Sequence, residues 1–211
     1  MAYPTVDAPY GLKPVNLIGG LPFAGATRQL TIGNAYGTSI FYGDVVQLNS
    51  SGNVIITTAQ AQSLTAAVAG VIGVFLGCSF TNPTTKQKQF SQYYPASTAA
   101  DDITAYVCDD PNALFRVVNV ASAVADSTTA LTPTYKSRLL SFGTNAELVL
   151  NTGLTSSGNS RMGIYINNVT ASLPFRVVDV VTDSANSSGD FVEFIVKFNA
   201  GYHAYNNAIG T

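Results

Sequence analysis

Charge is scarce in this sequence. Of 211 residues only 10% are Asp, Glu, Lys or Arg, against about 25% in ordinary soluble domains. Ten cations against twelve anions give a net charge of −2, and the closest basic cluster is Lys86 with Lys88. That excludes counterion-driven binding to nucleic acid and leaves no patch for an anionic membrane surface. Tryptophan is absent, and there is one histidine. Any Ser–His–Asp or Cys–His triad would have to use His203, and no G-x-S-x-G elbow presents a serine to it. His203 therefore reads as a side chain that packs or hydrogen-bonds. Cys78 and Cys108 are the only cysteines, and with His203 they lack the paired spacings that hold zinc. Set in apolar strand-like segments, they read as buried, reduced thiols. The glutamates are two, Glu147 and Glu193, and nothing pairs them as a glycosidase needs. Long apolar runs are missing as well. The longest, Val68 to Leu76, is too short to span a bilayer, and Met1-Ala2-Tyr3-Pro4 does not open a signal peptide. These absences predict a soluble, non-enzymatic protein made in a cytoplasm, with no catalytic residue, cofactor or metal.

What is present is β. Hydrophobic residues make up 46% of the chain, enough for a sizeable core. Short runs of Val, Ile, Phe, Tyr and Thr alternate with Gly, Asn, Asp and Ser clusters. They predict strands at 28–32, 40–42, 45–48, 54–57, 71–78, 88–94 and 103–107, then at 114–120, 147–150, 161–166, 175–181 and 191–198. Thr58–Gly70 and Ser122–Thr132 leave room for a helical turn or two. The fold class is all-β, an antiparallel β-barrel or β-sandwich with little helix. In the last strand Val192, Phe194, Val196 and Phe198 point to a core, while Phe191, Glu193, Ile195 and Lys197 form a mixed opposite face. The hexamer Phe115-Arg116-Val117-Val118-Asn119-Val120 recurs as Phe175-Arg176-Val177-Val178-Asp179-Val180. It reads equally as a duplicated strand or as two Val-rich strands alike by chance. The acidic doublets Asp101-Asp102 and Asp109-Asp110 read as turn acids rather than calcium ligands, since no D-x-D-x-D-G loop is present.

Residues 1–26 differ from the rest. Pro4, Pro9, Pro14 and Pro22 exclude a helix, and Gly19-Gly20 adds a joint. This segment is predicted to be an extended N-terminal arm lying against another subunit, anchored by Tyr10, Leu12 and Ile18. Residues 27–211 form the β body, with a division into two β subdomains, about 27–110 and 111–211, as an option. Tyr93, Tyr94, Tyr202 and Tyr205 lie in loop-like settings and are the candidate interface aromatics.

Three stretches carry a family resemblance. They are Asp7-Ala8-Pro9-Tyr10-Gly11-Leu12-Lys13-Pro14-Val15, then Thr38-Ser39-Ile40-Phe41-Tyr42-Gly43-Asp44-Val45-Val46, then Gly73-Val74-Phe75-Leu76-Gly77-Cys78-Ser79-Phe80 continuing through Tyr93-Tyr94-Pro95-Ala96-Ser97-Thr98 to Val107-Cys108-Asp109-Asp110-Pro111. Their order resembles a family of tailed-bacteriophage virion structural proteins of marine and cyanobacterial phages, some of which look like capsid decoration (cement) proteins. The resemblance covers about residues 5–120 well and the rest loosely. It implies no catalytic residue. It implies a seat on the outside of the phage capsid, with the major capsid protein as partner. A homo-oligomer is expected, a trimer first and a dimer second, because three-fold capsid sites match a trimer. The alternative is a tail or baseplate protein that binds carbohydrate, which requires a solvent-open aromatic groove. Physically the motifs read as an arm, a tight Gly43-Asp44 turn, and close strand packing at Gly73 and Gly77.

Overall fold

Alternating Val, Ile, Phe and Tyr side chains pack best on a pleated sheet whose buried face meets a second layer. The computed structural model of the protein describes residues 6–58, 70–122, 126–127, 129–130, 142–166, 173–181 and 191–206. Among the described residues there are twelve strands and no helix. They are β1 (Lys13–Leu17), β2 (Arg28–Thr31), β3 (Val45–Leu48), β4 (Val54–Ile56), β5 (Val71–Thr81) and β6 (Lys88–Ser91), then β7 (Thr104–Cys108), β8 (Ala113–Val118), β9 (Asn145–Val149), β10 (Gly163–Tyr165), β11 (Phe175–Val181) and β12 (Glu193–Phe198). The two stretches with room for helical turns lie largely outside the described residues.

The strands form two antiparallel sheets. Sheet I runs β1-β8-β12-β11-β9-β10, and sheet II runs β2-β7-β5-β3-β4, with β6 beside β5. They pack face to face as a sandwich and neither closes into a barrel. Between them Phe115, Phe175, Phe194 and Phe198 of sheet I meet Val45, Val71, Val74 and Cys108 of sheet II. The chain passes from sheet II to sheet I between β7 and β8, near residue 110, yet one core runs through both. On the far face of sheet II, Ile72, Phe75, Cys78 and Val107 are covered by Ile32, Ile40, Tyr94 and Ile103.

The longest strand, β5, pairs with β3, β6 and β7. It does so by bulging twice, against β3 between Val46 and Gln47 and against β7 between Phe75 and Cys78. Each bulge sits at a glycine, as sharply bent strands require. A Cβ on Gly73 (φ 155) would lie 2.1 Å from the Cys108 carbonyl oxygen, and one on Gly77 (φ 134) would lie 3.1 Å from that of Ser91. The recurrent hexamers take equivalent places, β8 on one side of β12 and β11 on the other. Phe115 and Phe175 both close on Phe198, with ring centroids 5.5 and 4.9 Å away.

Two expectations need correcting here. The first is the arm. Residues 13–17 form the edge strand of sheet I, paired with β8 of their own domain. Pro14 fits because an edge strand has one side without ladder bonds, and the register shifts beside it. Leu12 is fully buried in the main core and its N–H donates to the Gly43 oxygen at 3.0 Å. The second is the mixed face of the last strand. Phe191 and Glu193 are buried, because Val6 and Tyr10 lie over the outer face of sheet I.

Candidate functional site

The structure separates the residues that the sequence nominated. Tyr10 and Leu12 serve the protein's own core, whereas Ile18 stands 46% exposed. With Leu21 (64%) and Val15 (41%) it forms an apolar knob at the turn over Gly19-Gly20. That turn is held by N–H donation from Leu17 to the Leu21 oxygen at 2.8 Å and from Gly20 to the Leu17 oxygen at 3.1 Å. Tyr94 is not an interface residue. It is fully buried, its backbone pairs with Ile40, and its hydroxyl donates to the Tyr36 carbonyl at 3.0 Å. Tyr93, its neighbour on the opposite side, is half-buried and stacks on Phe41 with centroids 5.5 Å apart. Tyr202 is also buried, and its carbonyl accepts the Val71 N–H at 2.9 Å. Tyr205 is exposed. Its hydroxyl donates to Asp109 at 2.7 Å and its ring lies 5.4 Å from the Arg28 guanidinium. His203 packs against Phe198, and burial holds its pKa below the ordinary value.

Several other titratable groups are tied into the fold. Arg28 pairs with Asp109, and Lys88 with Asp102 at 2.8 Å. Asp110 accepts the Asn112 N–H at 2.7 Å, a turn bond. Among the described residues no group of three or more His, Cys, Asp or Glu gathers where a metal could sit. Cys78 and Cys108 are free and buried, and burial pushes their thiols up to about 12 and about 11. On the outer face of sheet I, the buried Glu193 carboxylate accepts from the Tyr10 hydroxyl and from Arg116. Lys13 lies 4.2 Å above the Tyr10 ring. Burial, with Glu193 beside it, holds the Tyr10 phenol protonated well above its usual range. This cluster ties β1 to β8 and β12. Asp44, in the turn after Gly43, is fully buried. One of its oxygens accepts the Phe41 N–H at 2.8 Å. Burial outweighs the Phe41 and Ser160 contacts and pushes this carboxyl up to about 7.

One feature has the form of a ligand site. The face of sheet II that meets sheet I continues past it around the Gly77 bulge. There it bears an open cleft of about 490 Å³ walled by Tyr42, Leu76, Phe90 and Tyr106, with Ser91 and Gln92 at its rim. Register places Phe90 opposite Ser79, and Tyr106 donates its hydroxyl to Ser79 Oγ at 3.1 Å. Phe90 is 77% exposed, the most exposed large apolar side chain among the described residues. Sequence reasoning missed this cleft, because Phe90 falls within a predicted strand and reads as core. Its signal is its company: Lys86, Lys88, Gln89, Ser91 and Gln92 surround it, and a strand so polar has no buried face for a phenylalanine to serve. No family model, curated protein or solved structure matches the chain.

Proposed function

We propose that the protein is a structural component of a tailed-phage particle, a decoration (cement) protein seated on the outside of the mature head. The reading rests on the resemblance of three stretches to that family. The observation that carries it structurally is the Val15, Ile18 and Leu21 knob beside the β1 edge. A cement protein bridges neighbouring capsomers and needs a rigid body, a low-charge surface and a protruding apolar contact. The sandwich supplies the first, the 10% charge content the second and the knob the third. Several copies seated together gain avidity from contacts that are weak singly. The test is to add the purified protein to expanded heads of the major capsid protein. The wild type should bind in hundreds of copies per head on a quantitative gel, and Ile18→Asp with Leu21→Asp should abolish binding while leaving the melting profile unchanged. Six to a few dozen copies, found only on tails of complete particles, would overturn the head assignment. That second reading, a tail or baseplate protein that binds carbohydrate, is favoured by the aromatic cleft.

A further inference from the structure

We infer that the cleft around the Gly77 bulge binds a neutral glycan, with Phe90 and Tyr106 as stacking platforms and Gln92 as the hydrogen-bonding group. The inference concerns the ligand of one cleft and holds wherever on a particle the protein sits. Three features of the lining select this chemistry. First, none of the eight lining residues is Asp, Glu, Lys or Arg. A phosphate, a carboxylate or a basic peptide would find no opposite charge, and their desolvation would go unrewarded. Second, the walls are aromatic, with Phe90 exposed and Tyr42 and Tyr106 half-buried. A pyranose has flat C–H faces that cover such rings, and burying them removes apolar surface from water on both partners. Third, the polar groups at the cleft are amides and hydroxyls placed to meet sugar hydroxyls. The Gln92 amide nitrogen donates to Asn159 Oδ1 at 2.6 Å, which leaves the Gln92 carbonyl oxygen as an acceptor. Tyr106 spends its proton on Ser79, so its oxygen is likewise an acceptor. The Tyr42 backbone is fixed on both sides, its N–H donating to Gly158 and its carbonyl accepting from Ser160, at 3.1 and 2.9 Å. That fixes the wall on which its ring stands.

The cleft exists because of the bulge. The extra residue at Gly77 interrupts the β7 pairing, between the stretch of β5 that pairs with β3 (Val71–Val74) and the stretch that pairs with β6 (Cys78–Thr81). Any side chain at Gly77 would meet the Ser91 carbonyl. The stacking surface is thus built on paired strands rather than on a loop, which keeps the rings positioned before a ligand arrives.

The experiment is a titration of the full chain with neutral hexaoses of gluco, galacto, manno and N-acetylgluco configuration, each in α- and β-linked form. Binding is followed by tyrosine fluorescence, since the chain has no tryptophan, and by saturation-transfer NMR. Polysialic acid and sulfated dextran serve as charged counterparts. At least one neutral hexaose should bind saturably. Phe90→Ala and Tyr106→Ala should each weaken it at least tenfold, Gln92→Ala at least threefold, and Ile18→Asp not at all. Phe90 and Gln92 are exposed, so their variants remain folded by melting even if Tyr106→Ala does not. The inference is overturned if no neutral hexaose binds, if the charged polymers bind as well as the neutral ones, or if Phe90→Ala leaves binding unchanged. It is also overturned if Phe90→Ala converts an oligomer to a monomer without affecting any sugar, for the cleft would then be an interface between copies. Loss of head binding by the knob variant tests the decoration reading separately.

Discussion

Asp44→Asn should make the protein more stable at pH 8 and leave it nearly unchanged at pH 4. The carboxyl is fully buried, and its pKa is raised from 3.8 to about 7. The sign follows from the direction of that shift. The folded state holds the proton more tightly than the unfolded state, so the stabilising contribution is full below pH 3.8 and fades as pH rises. It is gone above about 7. At about 1.4 kcal/mol per pH unit the gap caps the penalty at about 4 kcal/mol, and local relaxation brings the expected value to about 2–4 kcal/mol. Asparagine keeps an acceptor for the Phe41 N–H and never ionises. In a chain of this size 2–4 kcal/mol corresponds to roughly 5–15 °C in Tm. Urea denaturation of both proteins at half-unit steps from pH 4 to 8 reads the difference directly, because all other titrating groups are common to the pair. The variant should gain on the wild type between pH 4 and 7 and run parallel to it above. A difference in stability that does not change with pH would refute the reasoning.

Three further outcomes follow from the packing. Deleting residues 2–20 should cost the fold its edge strand and the buried Leu12, and Leu12→Ala alone should lower stability by about 2–4 kcal/mol in urea. Arg116→Leu should destabilise by about 2 kcal/mol, measured by denaturation at pH 7. It strands the buried Glu193 carboxylate, softened by the Tyr10 hydroxyl and by the water that reaches the 42% exposed arginine. Cys78 and Cys108, buried with raised thiol pKa values, should resist iodoacetamide at pH 7.5 in the native protein and add two labels without reductant in 6 M guanidinium, by intact mass.

Strand composition made most of the sheet content legible. Val45–Leu48 and Phe175–Val181 have the bounds that their Val-rich runs predict. β1 escaped because Pro14 sits within it, and sequence cannot tell whether a proline has broken a strand or moved it to an edge. The tyrosine pair at 93–94 shows a second limit. Alternation sends the two rings opposite ways, but only the bridge to Ile40 decides that Tyr94 turns inward. Glu193 shows a third. Its strand neighbours mark it as outward-facing, and it is buried by residues 183 positions away along the chain. The cleft was hidden for the same reason, since Tyr42, Phe90 and Tyr106 are brought together only by the pairing of β5 with β6 and β7.

The strand order has a consequence for the sequence of events during synthesis. Every described strand of sheet II lies between residues 28 and 108, so a ribosome releases all of them before β8. β1, made before the strands of sheet II, must wait for β8, and β8 must wait for β12, whose last residue is 198. In that interval β8 and β11 both display the same Phe-Arg-Val-Val edge to the solvent, and unpaired apolar edges are where nascent chains associate wrongly. β12 removes both edges at once by inserting between them. A chain halted short of residue 193 should therefore carry the paired strands of sheet II and two sticky, interchangeable strands. The danger to the protein lies in the interval between the synthesis of β8 and that of β12.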